Sequence, residues 1–251
     1  MKPISIQLYT LREESKTDFP RVVREVGAIG YAGVEPAGLY GLSPAEFRRI
    51  VEGEGMVVSS SHGPWASPDN LSEVIETAGA LGIDLVSSGF GPEQFADKDA
   101  IRRTAETVNG MNEQLRAAGL ILFLHNHHWE FETLDGRLKY ELFAELAPGV
   151  SFEIDTYWAA NFGANDPAAM VRKFARRTPL LHIKDGPLKK DKPMTAVGKG
   201  KMPIRNLIKA ADPAVLRWLV VEIDECATDM LQAVRDSYDF MTREGMAKGR
   251  R

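Results

Sequence analysis

The chain alternates short apolar runs of strand length with longer amphipathic stretches of helix length from end to end. Strict alternation of this kind predicts parallel strands joined by right-handed crossovers, in either an open doubly wound sheet or a closed barrel. The predicted strands are Ile4–Tyr9, Gly33–Pro36, Met56–Ser61, Leu85–Gly89, Leu120–Asn126, Ser151–Thr156, Leu180–Lys184 and Trp218–Ile223. The predicted helices are Phe19–Ile29, Pro44–Glu54, Asn70–Ala80, Ile101–Ala118, Tyr140–Leu146, Pro167–Arg176, Ile204–Ala210 and Met230–Met241.

Two features favour the closed barrel. The first strand is followed by Leu8-Tyr9-Thr10-Leu11-Arg12 instead of the glycine-rich fingerprint of dinucleotide-binding sheets. The eight repeats occupy 251 residues, and about 250 residues is the usual length of one (β/α)8 barrel. No linker or shift in composition marks a second domain. We therefore expect an α/β protein in which residues 1–251 form a single (β/α)8 TIM barrel, with irregular structure at Asp185–Pro203 and in the basic tail Lys248–Arg251.

Composition excludes several classes of partner. Lys plus Arg number 31 and Asp plus Glu 35, so the formal charge of −4 gives no basic footprint for nucleic acid. The single cysteine, Cys226, forms neither an internal disulfide nor a cysteine metal cluster. No run of 18 apolar residues and no signal peptide are evident. We expect a cytoplasmic protein without a membrane or nucleic-acid partner, and the sequence leaves open whether it forms a homo-oligomer.

Polar residues occur at the ends of four consecutive predicted strands. His125 lies at the end of strand five, Asp155 on strand six, His182 on strand seven and Glu222 on strand eight. Strands of a barrel are buried on both faces, so such residues are functional or need a specific partner. A histidine such as His182, taken alone, is more often a hydrogen-bonded core residue than a ligand. Together, however, the imidazoles and carboxylates predict a site for a divalent metal ion: Mn²⁺, Co²⁺, Zn²⁺ or Mg²⁺.

Five short motifs carry a resemblance to a known family. They are Gly30-Tyr31-Ala32-Gly33-Val34-Glu35, His125-Asn126-His127 with Glu130-Phe131, Glu153-Ile154-Asp155-Thr156-Tyr157-Trp158, His182-Ile183-Lys184-Asp185 and Val221-Glu222-Ile223-Asp224. In order and spacing they resemble the sugar phosphate isomerase/epimerase family of xylose isomerase-like barrels. The resemblance covers nearly the whole chain, and it implies a TIM barrel without identifying the substrate.

The resemblance also implies a ligand set. Members of the family typically hold one divalent metal with a Glu after strand five, an Asp after strand six, a His after strand seven and a Glu after strand eight. Asp155, His182 and Glu222 match the last three positions, whereas His125 stands where many members have Glu. Whether His125, His127 or Glu130 completes the metal shell is left open. The departure at His125 also prevents a direct transfer of the mechanism in which two glutamates move protons on opposite faces of the substrate.

The residues fit one kind of chemistry. A metal bound to a carbonyl and its neighbouring hydroxyl stabilises the enediolate that forms when a C–H proton leaves. Glu222 and Glu130 are the carboxylates predicted to take that proton, with His125 or His127 as imidazole alternatives. Lys184 is also a candidate catalytic residue because it lies within strand seven. Return of the proton gives isomerisation or epimerisation, whereas loss of a β-substituent gives elimination.

Four further residues are candidates for substrate binding. His62, at the end of strand three, either contacts substrate or has a structural role. Trp65 and Trp158 either stack on a sugar ring or pack in the fold. Glu35, at the end of strand two, either binds substrate or pairs with Arg12. The loop after strand seven is rich in lysine, which is typical of a solvated surface and still leaves room for a small anionic substrate. These lysines are Lys189, Lys190, Lys192, Lys199 and Lys201.

The leading hypothesis is a metal-dependent isomerase or epimerase of a sugar or keto-sugar, phosphorylated or not. A lyase or dehydratase acting on a keto-sugar or an inosose-like polyol would use the same residues. The apurinic endonuclease branch of the superfamily binds three zinc ions through more ligands, and five histidines with a net negative charge argue against it. A sugar-binding barrel without catalysis is the non-enzyme alternative.

Overall fold

The computed structural model describes residues 1–250 and shows an α/β barrel of eight parallel strands surrounded by helices. The strands are β1 (Lys2–Gln7), β2 (Gly33–Glu35), β3 (Val57–Val58), β4 (Leu85–Ser88), β5 (Ile121–His125), β6 (Ser151–Asp155), β7 (Leu180–Ile183) and β8 (Trp218–Val221). The main helices are α1 (Arg12–Ile29), α2 (Pro44–Gly53), α3 (Leu71–Leu81), α4 (Lys98–Ala117), α5 (Lys139–Leu146), α6 (Pro167–Phe174), α7 (Ile204–Ala210) and α8 (Met230–Arg243). The predicted TIM barrel is confirmed.

The strands are hydrogen-bonded in the order β3, β2, β1, β8, β7, β6, β5, β4, and every neighbouring pair is parallel. Between β3 and β4 the barrel is closed by one isolated bridge, from Ser61 to Val86. The segment after β3 completes this closure, because Ala66 N donates to Ser87 O over 2.8 Å. We call this junction the seam. Of the predicted strand Met56–Ser61, only Val57 and Val58 form a regular strand, paired with β2, and Ser61 forms the isolated bridge.

An apolar layer fills the barrel beneath the polar strand ends. Leu85, Phe123, Leu180 and Val220 are fully buried and pack together inside the barrel. Leu180 lies on the same face of β7 as His182, two residues further along the strand. The barrel is thus a packed core at this level, and the polar side chains lie at the carboxyl ends of the strands.

Helix α1 begins earlier than the predicted helix Phe19–Ile29 because two helical segments join end to end. Asp18 has a non-helical backbone with φ −152° and ψ 80°. Its carboxylate accepts a hydrogen bond from Arg21 N, as an N-cap does, and Pro20 is accommodated in the first turn that follows. The prediction therefore describes the second segment correctly and misses the first.

The loop after β7, predicted to be irregular, is organised around one buried carboxylate. Asp185 accepts hydrogen bonds of 2.8 to 3.0 Å from the backbone N–H groups of Gly186, Gly198, Gly200 and Met202. The buried side chain thus supplies partners for backbone groups that no regular element satisfies.

The basic tail Lys248–Arg251 was also predicted to be irregular, and that prediction was wrong for Lys248. The short strand Ala247–Lys248 pairs in parallel with Lys2 and Pro3 of β1, while Arg251 lies outside the described residues. Within residues 1–250, none of the helices is both long and apolar enough to cross a membrane.

Candidate metal centre and substrate cavity

Four buried side chains converge at the carboxyl ends of consecutive strands. His125, Asp155 and His182 lie on β5, β6 and β7, and Glu222 directly follows β8. Each contributes one nitrogen or oxygen to a group whose atoms all lie within 4.8 Å of one another. The four residues are at most 6% exposed. We call them the metal cluster; they are the set that the strand pattern predicted.

The atoms that face the centre of the metal cluster are His125 Nε2, Asp155 Oδ2, His182 Nδ1 and Glu222 Oε2, all of them buried and without a well-formed hydrogen bond. Their contacts are with one another and with Lys184. His182 Nδ1 lies 2.8 Å from Glu222 Oε2, His125 Nε2 lies 3.5 Å from Asp155 Oδ2, and Lys184 Nζ contacts both carboxylates. Incomplete hydrogen bonding of buried polar atoms costs free energy. Two imidazoles and two carboxylates fit a divalent cation, which would satisfy all four atoms at once.

Hydrogen bonds fix the orientation of Asp155. Its Oδ1 atom accepts from the backbone N–H groups of Tyr157 and Trp158, which begin the short helix Thr156–Ala159. Asn126 lies at the end of β5; its side chain accepts from Asp155 N and donates to Asp155 O. Because Oδ1 caps the short helix and Asn126 fixes the backbone of Asp155, the other carboxylate oxygen, Oδ2, faces the metal cluster.

His182 connects the metal cluster with a second polar group. Its Nε2 atom lies 2.8 Å from Glu35 Oε1, so the opposite ring nitrogen, Nδ1, faces the cluster. Glu35 is completely buried and also accepts hydrogen bonds from Gln7 Nε2 and Ser60 Oγ. A carboxylate partner of this kind fixes the tautomer and the ring orientation of a metal-binding histidine.

The second group consists of Glu35, His62, Glu153 and His182, and we call it the support group. Its ligand atoms are also close together, but most of them are paired: His62 Nε2 lies 2.5 Å from Glu153 Oε2. Glu153 Oε1 lies 3.1 Å from His182 Nε2, which also contacts Glu35. The support group is therefore a hydrogen-bonded layer beneath the metal cluster.

The structure does not bring Glu35 to a surface that a substrate can reach, nor does it bring Glu35 to Arg12. Arg12 instead donates to the backbone oxygens of Tyr9 and Asp224. His62 differs from Glu35, because it belongs to the support group and also lines the cavity.

The electrostatic environment of the metal cluster favours a positive charge. Burial disfavours the charged imidazole of His182, yet the carboxylates of Glu153, Glu222 and Glu35 together raise its pKa well above the usual value. Burial, reinforced by the neighbouring His182, lowers the pKa of His125 well below the usual value. His125 is therefore a neutral imidazole, the form that binds metals.

Lys184 lies beside the metal cluster. Its Nζ atom lies 2.9 Å from Asp155 Oδ2 and 2.8 Å from Glu222 Oε2, and it is hydrogen-bonded to Asp224. Burial disfavours its charge, but these carboxylates raise its pKa well above the usual value. Lys184 is therefore an ammonium ion at neutral pH, able to donate hydrogen bonds and stabilise negative charge but not to act as a base.

A cavity of about 700 Å³ opens above the metal cluster. Of the residues predicted to bind substrate, His62, Trp65 and Trp158 line it, as do the predicted catalytic residues Lys184, Glu222 and His127. The remaining lining residues are Gln7, Tyr9, Ala37, Gly38, Gly63, His125 and Asp224.

Glu130, one of the predicted proton acceptors, does not line this cavity. It lies in the short helix Trp129–Phe131, is 1% exposed and accepts a hydrogen bond of 2.9 Å from His127 N. Burial raises the pKa of Glu130 to about 8. The structure therefore places it beneath the turn that carries His127, where it positions that turn.

His127 presents a neutral imidazole to the cavity. Its ring stacks on Trp129 with centroids 4.2 Å apart. Burial lowers the pKa of His127 to about 4, so the ring is unprotonated near neutral pH. It can accept a hydrogen bond from a substrate, but a group with so low a pKa is a weak base.

Asp224 lines the cavity and was missed by the sequence analysis. Burial raises its pKa to about 6, in spite of the neighbouring Lys184. A carboxylate of this pKa is better matched to proton abstraction near neutral pH than His127 is. The signal for it was the alternation beyond strand eight, since Asp224 follows Glu222 by two residues, as Asp155 follows Glu153.

The loop lysines do not contribute to the cavity. All five, from Lys189 to Lys201, are exposed, and none belongs to its lining. The solvated surface that the sequence favoured for this loop agrees with their placement. A small anionic substrate in the cavity would not meet them.

Fold and site together define a TIM barrel with a buried cluster of histidines and carboxylates at the carboxyl ends of its strands, suited to a metal ion. The family model described as the xylose isomerase-like TIM barrel matches residues 23–244. The chain belongs to this family. A comparison with curated protein sequences finds no match.

Solved structures of similar fold include proteins of different activity. A sugar phosphate isomerase/epimerase from Parabacteroides distasonis is 24% identical, with a TM-score of 0.82, over 98% of this chain and 96% of that chain. D-Psicose 3-epimerase from Clostridium cellulolyticum is 17% identical, with a TM-score of 0.72, over 99% and 100%. A probable 3-DHS dehydratase from Bacillus anthracis is 13% identical, with a TM-score of 0.74, over 96% and 99%. At these identities the likeness shows the fold alone.

Proposed function

We propose that this protein is a divalent-metal-dependent isomerase or epimerase of a sugar or keto-sugar, with the metal held by His125, Asp155, His182 and Glu222. The observation that carries the proposal is the set of four buried ligand atoms, none with a well-formed hydrogen bond, that converge beside the cavity. A divalent ion bound there would act as a Lewis acid toward a carbonyl oxygen. Two imidazole ligands favour Mn²⁺, Co²⁺ or Zn²⁺ over Mg²⁺, which prefers oxygen ligands.

The residues around the metal cluster have distinct roles in this proposal. Asp224 takes the proton from the carbon next to the carbonyl. Lys184, hydrogen-bonded to both oxygens of Asp224, holds that carboxylate in place and stabilises negative charge on the substrate. His127 accepts a hydrogen bond from a substrate hydroxyl, while Trp158 closes one wall of the cavity and excludes water. Glu222 serves as a ligand, which leaves Asp224 as the proton acceptor.

A lyase or dehydratase is the second candidate, and one observation favours it. Epimerisation by two carboxylates requires one on each face of the substrate, the first to take the proton and the second to return it, and the strand-five position carries the neutral His125 instead. Elimination requires a base on one face only. Asp224 can take the proton from carbon and pass it to the leaving oxygen, while the Lys184 ammonium group stabilises the negative charge on that oxygen. The structural similarity to a probable dehydratase is consistent with this alternative.

Solvent deuterium incorporation tests the proposal. The Mn²⁺-loaded protein is incubated in D2O with a panel of keto-sugars, and exchange at each carbon is followed by NMR. We expect deuterium at a carbon adjacent to the carbonyl and loss of that exchange in Asp224→Asn, whose metal content should be unchanged. A product of the same mass indicates an isomerase or epimerase, and a dehydrated product indicates a lyase. Absence of exchange with every keto-sugar bound, or cleavage of abasic DNA, would overturn the proposal.

A further inference from the structure

We propose that the substrate is an uncharged keto-sugar that carries a second ring, and that this second ring stacks on Trp65 and Tyr9. The inference rests on the proposed function and names the class of substrate for the same cavity. Three observations carry it: the volume of the cavity, the exposed aromatic side chains in its lining and the balance of charge around the metal cluster.

The cavity is larger than one sugar ring requires. Its volume is about 700 Å³, whereas ligand cavities of about 300 to 1,000 Å³ hold drug-sized molecules. Such molecules contain considerably more non-hydrogen atoms than a hexose. A single keto-sugar bound at the metal cluster would leave much of the cavity to be filled by a substituent.

Trp65 lines this cavity, and its side chain is held in place by packing. Its ring lies against Gly89, where an added Cβ atom would collide with the indole, and its centroid lies 4.9 Å from that of His62. In spite of this packing the side chain is 40% exposed. A large aromatic side chain that is held in place and still exposed within a cavity is suited to stacking on a ligand ring.

Tyr9 is a second aromatic residue of this kind. It is 44% exposed and lines the same cavity. The Arg12 guanidinium lies 4.1 Å from the centroid of its ring and donates to its backbone oxygen. Arg12 thus fixes the position of Tyr9. Trp65 and Tyr9 thus give the cavity two exposed aromatic side chains in addition to the metal cluster; we call them the aromatic subsite.

The charges of the cavity disfavour a phosphorylated substrate. Among the residues described, Lys184 is the one Lys or Arg side chain that lines the cavity. It already contacts the carboxylates of Asp155, Glu222 and Asp224. A divalent ion and the Lys184 ammonium group together neutralise the negative charges of these three carboxylates. No positive charge is then left over to pair with a phosphate dianion. Phosphate groups in proteins are usually bound by arginine, lysine or helix N-termini that are free to pair with them.

Calorimetric titration of the Mn²⁺-loaded protein with three matched ketoses tests the inference. D-Fructose is the single ring, isomaltulose carries a glucosyl group on O6 of fructose, and fructose 6-phosphate carries a phosphate on the same oxygen. We expect isomaltulose to bind at least tenfold more tightly than fructose, and fructose 6-phosphate to bind no more tightly than fructose. Preference for the phosphate, or no preference for isomaltulose over fructose, would overturn the inference.

Two variants locate the second ring. Trp65→Ala removes the platform, and Gly89→Ala displaces the indole because the new methyl group collides with it. Both should abolish the preference for isomaltulose. Gly79→Ala is the matched control, since a Cβ atom there meets no other group, and it should keep the full preference. A preference that survives both Trp65→Ala and Gly89→Ala would exclude this subsite.

The titration measures binding and needs no turnover, so it separates the two proposals. Preferred binding of isomaltulose without deuterium exchange supports the aromatic subsite and contradicts the proposed reaction. Deuterium exchange with fructose 6-phosphate in preference to isomaltulose supports the reaction and contradicts the substrate class.

Discussion

Lys184 Nζ donates hydrogen bonds of 2.9 Å to both carboxylate oxygens of Asp224. The same ammonium group lies within 2.9 Å of one oxygen each of Asp155 and Glu222. The proposed proton acceptor and the proposed metal ligands thus share one cation. Substitution of Asp224 should therefore affect catalysis, whereas substitution of Lys184 should affect stability, and substitution of Asp155 should affect metal binding.

Activity should depend on the ionisation of Asp224. Because burial raises its pKa to about 6, the carboxylate is ionised above that pH and protonated below it. A divalent ion bound beside Asp224 would lower this pKa, so log kcat/KM should rise with pH and level off at or below pH 6. In Asp224→Asn the rate should fall by roughly 10²- to 10⁴-fold, the usual contribution of a general base. A pH–rate profile combined with metal analysis checks this, and unchanged kcat in Asp224→Asn would contradict it.

Replacing Lys184 by methionine should destabilise the metal-free protein. Three carboxylates, those of Asp155, Glu222 and Asp224, would lose their shared buried cation, a change that typically costs about 3–5 kcal/mol. Added Mn²⁺ should restore part of the loss because it places positive charge among the same oxygens. Urea unfolding with EDTA and with Mn²⁺ measures both effects. The exposed Lys190→Met is the control, and equal behaviour of the two variants would contradict the prediction.

Metal should stabilise the protein through Asp155. A ligand that binds only the folded state adds about 2.7 kcal/mol at a concentration 100 times its Kd, so the midpoint of thermal unfolding should rise with added Mn²⁺ and fall with EDTA. Asp155→Ala should abolish this dependence and the bound metal found by elemental analysis. Asp191→Ala, at an exposed loop position, should retain both. A metal-dependent midpoint in Asp155→Ala would show that the ion binds elsewhere.

Glu130→Gln should be more stable than the parent protein at alkaline pH. Folding raises the pKa of this carboxyl from 4.5 to about 8, so the folded state favours the protonated form. Its contribution to stability is complete below pH 4.5 and decreases as the pH rises to about 8.

The neutral amide of Glu130→Gln avoids this decrease, and the gain should reach about 4 kcal/mol at pH 8 and vanish at pH 4. Urea unfolding at both pH values measures the difference. Glu93→Gln, at an exposed carboxyl, is the control and should show no such pH-dependent gain. Absence of the gain in Glu130→Gln would contradict the prediction.

The sequence predicts the metal cluster because alternation along each strand determines which side chains face the barrel interior. His125, Asp155, His182 and Glu222 each stand at a strand end in a repeating pattern, so their meeting follows from the parallel topology. The partners of Glu35 could not be predicted in the same way. Its hydrogen bond to His182 spans 147 residues and crosses the barrel interior, where side-chain length and rotamer decide which groups meet.

The orientation of side chains within turns could not be predicted from the sequence either. Glu130 has the residue type of a proton acceptor, but the turn of Trp129–Phe131 buries it. Asp224 continues the alternation of Glu222 beyond the last strand residue, but its contact with Lys184, 40 residues away in the sequence, brings it to the cavity and could not be predicted from that alternation.

Because the cavity-lining Trp65 lies beside the seam between β3 and β4, ligand binding should stabilise the barrel at the seam. The chain segment that closes the seam, through Ala66 N and Ser87 O, also carries Trp65, whose ring lies on Gly89 just after β4. A ring stacked on Trp65 would hold this segment against β4. Bound ligand should therefore slow hydrogen exchange of the amides that bridge the seam more than that of amides in the continuous ladder. Substrate would in this way complete the barrel wall at the place where strand pairing is shortest.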